Sequence, residues 1–207
     1  MMSTRAVLFD CGGVLFDFDQ DRRLAVLSKA SGLAAPLLSE RIWVSGLDSA
    51  SDHGKLGLEQ ICRRLNEALE QDLSEDELAD LMTSAFTLRP EVLALVRQLR
   101  PGIVRGTLTN NGPLISLGLE RRFPELVEAI PDNRFFSYQL RAAKPEPAIY
   151  RALEVRLGLL ASEILLIDDS SANTEGARDA GWQVIEFQDG DSLARDLADL
   201  GLLTAGN

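Results

Sequence analysis

This chain of 207 residues has few cysteines and no long apolar run near its first residues. The two cysteines, Cys11 and Cys62, are too few for a disulfide framework and form no CxxC metal motif. We therefore expect free thiols in a reducing cytosol. The apolar run before Asp10 has four residues, too short for a signal peptide or a membrane span. The sequence therefore predicts a cytoplasmic protein.

Positive charge is also scarce. The 21 lysines and arginines are outnumbered by 32 aspartates and glutamates, which gives a net charge of −11. Binding to nucleic acid needs clustered positive charge, and so does attraction to an anionic membrane. We predict that the chain has neither as a partner. Only Lys29, Lys55 and Lys144 are lysines, and His53 is the single histidine.

The chain does contain an alternation of two patterns. Short apolar runs that end in polar residues indicate buried strands, and we predict five strands, at residues 6–9, 103–108, 135–136, 163–167 and 184–187. Apolar residues at helical spacing occur between and after them, at 90–99, 147–157, 174–181 and 192–200. This alternation predicts an α/β fold with a mostly parallel sheet. Ligands of such sheets bind outside the carboxyl ends of the strands.

Residues 16–87 interrupt the alternation. They hold no apolar run that resembles a strand, and we predict four helices in this segment, at 22–31, 36–44, 58–69 and 74–86. Ser74 and Glu77 have the spacing of a capping box. We therefore predict a core formed by residues 1–15 and 88–207, and an inserted helical subdomain at 16–87, called the cap segment below.

Polar residues gather where the predicted strands end. The four clusters lie at 10–13, 109–111, 143–146 and 168–173. An aspartate can attack phosphorus if a cation suppresses its repulsion from the phosphate, and carboxylates from two strand ends can hold Mg²⁺. A lysine can neutralise further charge, a threonine hydroxyl can bind phosphate oxygens, and paired glycines allow close backbone approach. Each cluster alone is typical of a turn or a helix cap, but the ordered set indicates phosphoryl transfer.

This ordered set resembles the four motifs of the haloacid dehalogenase-like (HAD) hydrolase superfamily, over essentially the whole chain. The resemblance implies a Rossmann-like three-layer core with a small helical cap. It implies that Asp10 is the nucleophile, forming an aspartyl-phosphate, and a Mg²⁺ ligand. The other implied metal contacts are the carbonyl of Gly12, Asp169, and Asp168 either directly or through water. Thr109 and Asn110 would bind the phosphoryl group, Lys144 would stabilise Asp10 and the phosphoryl oxygens, and Asn173 would support the ligands from behind.

Three segments, 9–14, 88–92 and 143–150, further resemble the bacterial subgroup that contains the α-D-glucose-1-phosphate phosphatases, and 168–177 extends the similarity. One position departs from the usual superfamily pattern. A second aspartate normally stands two residues after the nucleophile as general acid and base, and here that position is Gly12. The subgroup also carries glycine there. Because an anomeric hydroxyl is more acidic than an ordinary alcohol, it would leave with less help from a proton donor. The alternative is that a residue of the cap segment or a water molecule supplies the proton.

Other polar and aromatic residues have plainer interpretations. His53 is expected in a surface loop, with a role as substrate contact or proton donor as the alternative. Asp17, Asp19 and Asp21 are expected on a solvated face at a helix N-terminus, with a substrate contact by one of them as the alternative. Arg89 begins the helix after the cap segment and is a candidate hinge or substrate contact. The remaining pair, Trp43 and Trp182, are expected to be packing residues.

The leading hypothesis is a Mg²⁺-dependent phosphatase of a small phosphorylated metabolite, with a sugar phosphate such as glucose 1-phosphate favoured. A metal-independent haloacid dehalogenase is the first alternative. Dehalogenases usually have an aromatic residue at the Gly12 position and lack the Asp168-Asp169 pair. A catalytically impaired phosphometabolite-binding protein is the second alternative. The sequence leaves the oligomeric state open between a monomer and a homodimer.

Overall fold

The computed structural model of the protein describes residues 4–204. Its strands are β1 (Ala6–Phe9), β2 (Phe16–Phe18), β3 (Phe86–Leu88), β4 (Val104–Thr109), β5 (Arg134–Phe136), β6 (Ile164–Asp168) and β7 (Gln183–Glu186). The helices are α1 (Gln20–Ser31), α2 (Ala35–Ser39), α3 (Leu47–Asp52), α4 (Leu58–Leu69), α5 (Glu75–Met82), α6 (Pro90–Gln98), α7 (Pro113–Arg122), α8 (Pro124–Ala129), α9 (Ser137–Leu140), α10 (Pro147–Leu157), α11 (Ser171–Asp179) and α12 (Gly190–Asp199).

The main sheet has the strand order β5–β4–β1–β6–β7, and all its neighbouring strands are parallel. Both of its faces are covered, as the continuous apolar runs predict. In β1, Val7 and Phe9 join the apolar cluster that includes α6 and α12, whereas Ala6 and Leu8 join the cluster that includes α10. The predicted three-layer α/β core is confirmed, with the 135–136 strand at its edge.

The cap segment contains α1 to α5, and a π-helical turn at Glu40–Val44 continues α2. Its apolar residues, including Leu27, Ile42 and Leu65, share one cluster with Leu114 and Leu119 of α7. The structure adds a short antiparallel pair, β2 and β3, which the sequence pattern does not predict. This pair joins the two ends of the segment. The division into core and cap segment stays a prediction, and residues 1–3 and 205–207 lie outside the described residues.

Most predicted helices form within a few residues of their predicted bounds, and α4 and α10 match theirs. Four helices are not predicted, namely α3, α7, α8 and α9. Helices as short as α8 and α9 carry too little periodicity to be recognised. Cys11 and Cys62 are free thiols, as expected. Among residues 4–204, no helix is long and apolar enough to cross a membrane.

Candidate active site

Three of the polar clusters meet because their strands are neighbours. Asp10 follows β1, Thr109 ends β4, and Asp168 ends β6. β1 lies between β4 and β6, and Phe9 pairs with Ile167, which places Asp10 beside Asp168. The cleft over these strand ends has a volume of about 440 Å³. Its lining includes Asp10, Gly12, Gly13, Asp17, Phe18, Asp19, Phe86, Arg89, Thr109, Asn110, Asn111 and Asp169.

Asp10 is held in place through one of its two carboxylate oxygens. Its Oδ1 accepts a hydrogen bond from the backbone N–H of Cys11 at 2.7 Å and lies 3.1 Å from the Nζ of Lys144. Burial raises the pKa of Asp10 to about 6, with the Asp168 charge in support and the Lys144 charge in opposition. The carboxylate is therefore ionised at neutral pH, and Asp10 lines the cleft.

Lys144 is only 4% exposed, and its ammonium group bridges two carboxylates. The Nζ atom donates to Asp168 Oδ2 at 2.5 Å and to Asp10 Oδ1 at 3.1 Å. Burial by itself would lower the pKa of Lys144, but the two carboxylates raise the pKa above its ordinary value. Lys144 therefore remains positively charged and partly neutralises the acidic centre.

Asp168 is fully buried, and both its oxygens are engaged. Oδ2 accepts from Lys144, while Oδ1 accepts from the N–H of Ser170 at 3.0 Å and from Nδ2 of Asn173 at 2.9 Å. The backbone carbonyl of Asn173 in turn accepts from the Tyr150 hydroxyl at 2.8 Å. Asn173 thus contacts Asp168 directly, and its supporting role stays a prediction.

Asp169 has a different environment, because it is exposed and lines the cleft. Partial burial and the charge of Asp168 raise the pKa of Asp169. Its carboxylate lies against Gly13, which has a φ of +83° and has no room for a Cβ. One oxygen each of Asp10, Asp168 and Asp169 lies within 4.8 Å of the others. Such a set of hard oxygen donors fits Mg²⁺, whose preferred ligands are oxygens.

The residues at the end of β4 make different contacts. The side chain of Asn110 is fully used by the backbone of Lys144: its Nδ2 donates to the Lys144 carbonyl at 2.7 Å, and its Oδ1 accepts from the Lys144 N–H at 2.8 Å. Thr109 is 2% exposed, and its hydroxyl accepts from Asn111 Nδ2 at 2.7 Å. Asn110 therefore positions Lys144 with its side chain, and its predicted phosphate contact would come from its backbone.

Arg89 supplies the cation that lines the cleft. Its guanidinium donates to Asp17 Oδ1 from Nε at 2.8 Å and from Nη2 at 2.5 Å, and to the carbonyl of Gly13 at 2.9 Å. It also lies 5.2 Å from the centroid of the Phe187 ring. Arg89 thereby joins the start of the cap segment to the glycine turn after Asp10.

The remaining expectations have mixed outcomes. Asp19 caps α1 by accepting from the N–H of Arg22 at 2.9 Å, which confirms the helix N-terminus. Trp182 is a packing residue, 4% exposed and edge-on to Tyr150. His53 is held rather than free: its Nδ1 contacts the Ser49 carbonyl at 2.7 Å and its Nε2 contacts Glu146 Oε1 at 2.9 Å. Trp43 packs on the apolar cluster and also lines a second cleft of about 300 Å³, between α3 and the segment that holds Lys144.

The fold and the site together define an α/β enzyme with a carboxylate–lysine centre at the ends of its central strands. The sequence model of the haloacid dehalogenase-like hydrolase family matches residues 4–181 of this chain. The chain therefore belongs to the haloacid dehalogenase-like hydrolase family, as the motifs predict, and is a hydrolase.

Two relatives match nearly end to end. A protein of Mycobacterium tuberculosis named as a phosphatase is 33% identical, over 99% of this chain and 99% of its own. A D-ribitol-5-phosphate phosphatase of Bacteroides thetaiotaomicron is 23% identical, over 92% of this chain and 95% of its own. A crystal structure of a HAD-family enzyme from B. thetaiotaomicron, complexed with magnesium and inorganic phosphate, is similar in fold. Its TM-score is 0.79 at 22% identity, covering 92% of this chain and 99% of that one.

Proposed function

We propose that this hydrolase is a Mg²⁺-dependent phosphatase that cleaves a small phosphate monoester through an aspartyl-phosphate on Asp10. The observation that carries the proposal is the bridging of Asp10 and Asp168 by Lys144, beside the exposed carboxylate of Asp169. This arrangement keeps one ionised carboxylate facing the cleft while its charge is partly neutralised. A nucleophilic carboxylate requires such neutralisation before an anionic phosphate can approach.

The chain's own residues account for two displacement steps. Oδ1 of Asp10 is held by Cys11 and Lys144, so Oδ2 is the oxygen that would attack phosphorus. The bond from Oδ2 to phosphorus forms as the bond from phosphorus to the alcohol oxygen breaks, and the leaving oxygen takes up a proton from water. Water then cleaves the aspartyl-phosphate, which releases inorganic phosphate and restores the carboxylate. Thr109 and Lys144 would bind phosphoryl oxygens during both steps.

The metal residues in this proposal are Asp10, Asp169 and the backbone carbonyl of Gly12. Asp168 would contribute through a bound water or directly, and its engagement with Lys144 and Asn173 favours the water. When bound, Mg²⁺ supplies positive charge that screens the phosphate from the carboxylates. The predicted acidic surface is compatible with this chemistry, because the site creates its own local positive field.

The proposed substrate is a small phosphorylated metabolite, with a sugar phosphate such as glucose 1-phosphate favoured. The relative named as a D-ribitol-5-phosphate phosphatase supports a substrate whose alcohol carries several hydroxyls. Gly12 supports an alcohol that leaves without a proton donor at that position, which suits an anomeric hydroxyl. The metal-capable trio of carboxylates favours phosphatase over dehalogenase chemistry, which needs no metal.

The test is hydrolysis of a panel of phosphate esters, including α-D-glucose 1-phosphate and 4-nitrophenyl phosphate, with Mg²⁺ and with EDTA. Asp10→Asn should abolish Mg²⁺-dependent phosphate release, whereas Asp72→Asn, at an exposed position of the cap segment, should retain it. Release of halide from 2-chloropropionate in EDTA would instead establish the dehalogenase. Absence of any turnover by a folded, Mg²⁺-stabilised protein would favour the binding protein.

A further inference from the structure

The turn at residues 11–15, between β1 and β2, carries the proposed Gly12 ligand and is held by the two strands that join the ends of the cap segment. The backbone N–H of Gly13 donates to the carbonyl of Phe16, the first residue of β2, at 2.8 Å. The carbonyl of Gly13 accepts from Nη1 of Arg89, which follows β3, at 2.9 Å. Both peptide groups that flank the Cα of Gly13 are therefore fixed by residues at the ends of β2 and β3.

These contacts set the direction of a proposed metal ligand. The carbonyl of Gly12 and the N–H of Gly13 belong to one planar trans peptide group, in which the two bonds point in opposite directions. The hydrogen bond from this N–H to Phe16 therefore also fixes the direction of the Gly12 carbonyl. Gly13 lies so close to the carboxylate of Asp169 that a Cβ would collide with it, so a movement of Gly13 would displace a second proposed ligand.

The guanidinium group of Arg89 contacts three parts of the molecule at once. While Nη1 donates to the Gly13 carbonyl, Nε and Nη2 both donate to Oδ1 of Asp17. Asp17 belongs to β2 and pairs with Thr87 of β3. The central carbon of the guanidinium lies over the ring of Phe187, which is buried in the core. One planar group thus connects the β2–β3 pair, the glycine turn and the core.

Exposure and charge separate this role from a purely structural one. The Asp17 side chain is 63% exposed and that of Arg89 is 24% exposed, and ion pairs of this kind contribute little to folding. Burial and the charge of Asp168 raise the pKa of Asp169, and the nearby charge of Arg89 opposes them. Through its charge alone, Arg89 would repel Mg²⁺, so its removal would tighten metal binding. Weaker binding without the guanidinium would therefore have to come from the position of the ligands.

We propose that Arg89 is a positioning residue of the metal site, which couples the β2–β3 pair to bound Mg²⁺ through the Gly13 peptide groups. This inference rests on the proposed phosphatase function. Arg89 acts on the metal through Gly12 and Asp169, and loss of such an outer partner of metal ligands typically weakens metal binding about 10–100-fold. Because coupling is reciprocal, bound Mg²⁺ favours the position of β2 and β3 in which Arg89 reaches both Asp17 and Gly13.

The experiment measures Mg²⁺ binding to the full-length protein without substrate, by isothermal titration calorimetry. Arg89→Gln removes the charge and the planar fork of donors, whereas Arg89→Lys keeps the charge and loses the fork that reaches Asp17 and Gly13 together. We expect both variants to raise the Kd for Mg²⁺ at least about tenfold. The controls Arg97→Gln on α6 and Asp21→Asn on α1 are at exposed positions that do not line the cleft, and their Kd should stay within about twofold.

A double variant tests the connection to β2. Asp17→Asn alone should weaken Mg²⁺ binding, because it removes one anchor of the guanidinium. Arg89→Gln combined with Asp17→Asn should bind Mg²⁺ no more weakly than Arg89→Gln alone, since Asp17 acts through Arg89. Losses that add would show that Asp17 acts on the metal by its own charge, and they would overturn the coupling. At saturating Mg²⁺, the KM of Arg89→Gln for 4-nitrophenyl phosphate should stay within about twofold of the wild-type value.

Thermal unfolding in EDTA checks that every variant folds, and Asp17→Asn at its exposed position provides a second test if an Arg89 variant does not. Unchanged or tighter Mg²⁺ binding by either Arg89 variant would overturn the positioning role while the phosphatase stands. A raised KM with an unchanged Kd for Mg²⁺ would assign Arg89 to the substrate and would also overturn it. Failure of the wild type to bind Mg²⁺ would overturn the proposed Mg²⁺-dependent function and the coupling with it.

Discussion

The Nζ atom of Lys144 donates a hydrogen bond to Oδ2 of Asp168 at 2.5 Å, although both side chains are fully buried. Asp168 is itself fixed by Ser170 and Asn173, and Lys144 by the side chain of Asn110 on its backbone. These hydrogen bonds therefore hold the ammonium group in a fixed position beside Asp10. Preorganised charge of this kind stabilises a transition state without reorganisation during the reaction.

Removing the ammonium group should affect both turnover and stability. Lys144→Met should abolish phosphate release and destabilise the protein by about 3–5 kcal/mol at pH 8, because it leaves buried carboxylates without a counter-charge. The destabilisation should be smaller at pH 5, where Asp10, with its pKa already about 6, takes up a proton. Urea unfolding at both pH values, in EDTA, measures the difference. Lys29→Met is the control, and equal destabilisation at both pH values would contradict the expectation.

Binding of Mg²⁺ should stabilise the folded protein through Asp169. A ligand at 100 times its Kd raises the free energy of unfolding by about 2.7 kcal/mol, so the melting temperature should rise with Mg²⁺. Asp169→Asn should lose most of this rise, while Asp72→Asn should keep it. Because the pKa values of Asp10 and Asp169 are raised, protons compete with the metal, and the stabilisation should weaken as the pH falls below about 6. A rise in melting temperature independent of Asp169 would place the ion elsewhere.

Burial, with the charge of Asp48 in support, raises the pKa of Asp52 to about 8, which predicts a specific pH dependence of stability. The unfolded chain releases this proton near 3.8, so the folded state binds more protons between these values. Stability therefore falls as the pH rises through them. Relative to Asp52→Asn, the wild type should lose unfolding free energy on the order of 1 kcal/mol per pH unit in this window. Urea unfolding from pH 5 to 8 tests this, and parallel profiles would contradict it.

The two glycines after Cys11 should respond differently to substitution. A Cβ at Gly12 would lie 3.8 Å from atoms of Phe18 and Phe86, an ordinary contact, so Gly12→Asp should fold. The new carboxyl could act as the general acid, an effect typically of about 10²–10⁴-fold. It should speed cleavage of simple alkyl phosphates more than that of sugar 1-phosphates. Equal gains in kcat/KM on both would contradict the idea that an acidic leaving group replaces the acid.

Gly13→Ala serves as the comparison for that experiment. Its Cβ would collide with the carboxylate of Asp169, and the φ of +83° is strained for alanine. We expect loss of turnover together with loss of the Mg²⁺-dependent rise in melting temperature. Retention of both would show that Asp169 is free to move without consequence.

The α/β core can be predicted from the sequence because strands buried on both faces appear as continuous apolar runs. Each of the central runs ends in a polar cluster. The runs at 6–9 and 163–167 alone place Asp10 and Asp168 at one edge of the sheet, and the family is confirmed. The roles of Asp10, Lys144, Thr109 and Asp169 stay predictions, although the structure brings these residues together. Short strands such as β2 carry too little pattern to be predicted.

The sequence carries less information on the cap segment, for a physical reason. Arg23 lies on α1, and Asp48 and Asp52 lie on α3, close enough for their charges to act on the arginine. This proximity depends on how α1 and α3 pack, which periodicity does not encode. The spacing of Asp48 and Asp52 shows that they share a helix face but not that the face is half-buried beside a cation. Asn110 is a similar case, since its motif indicates the position and only the structure shows that its side chain holds Lys144.

The hydrogen bond between His53 and Glu146 joins α3 to the segment that leads into α10. Hydrogen bonds that this imidazole donates, first to the Ser49 carbonyl and then to the Glu146 carboxylate, raise its pKa. Because the chain contains one histidine, all histidine imidazole signals in an NMR spectrum come from His53. The protein thus carries a native spectroscopic label at the boundary of its cap segment, and the midpoint of that single titration reports whether the contact is made in solution.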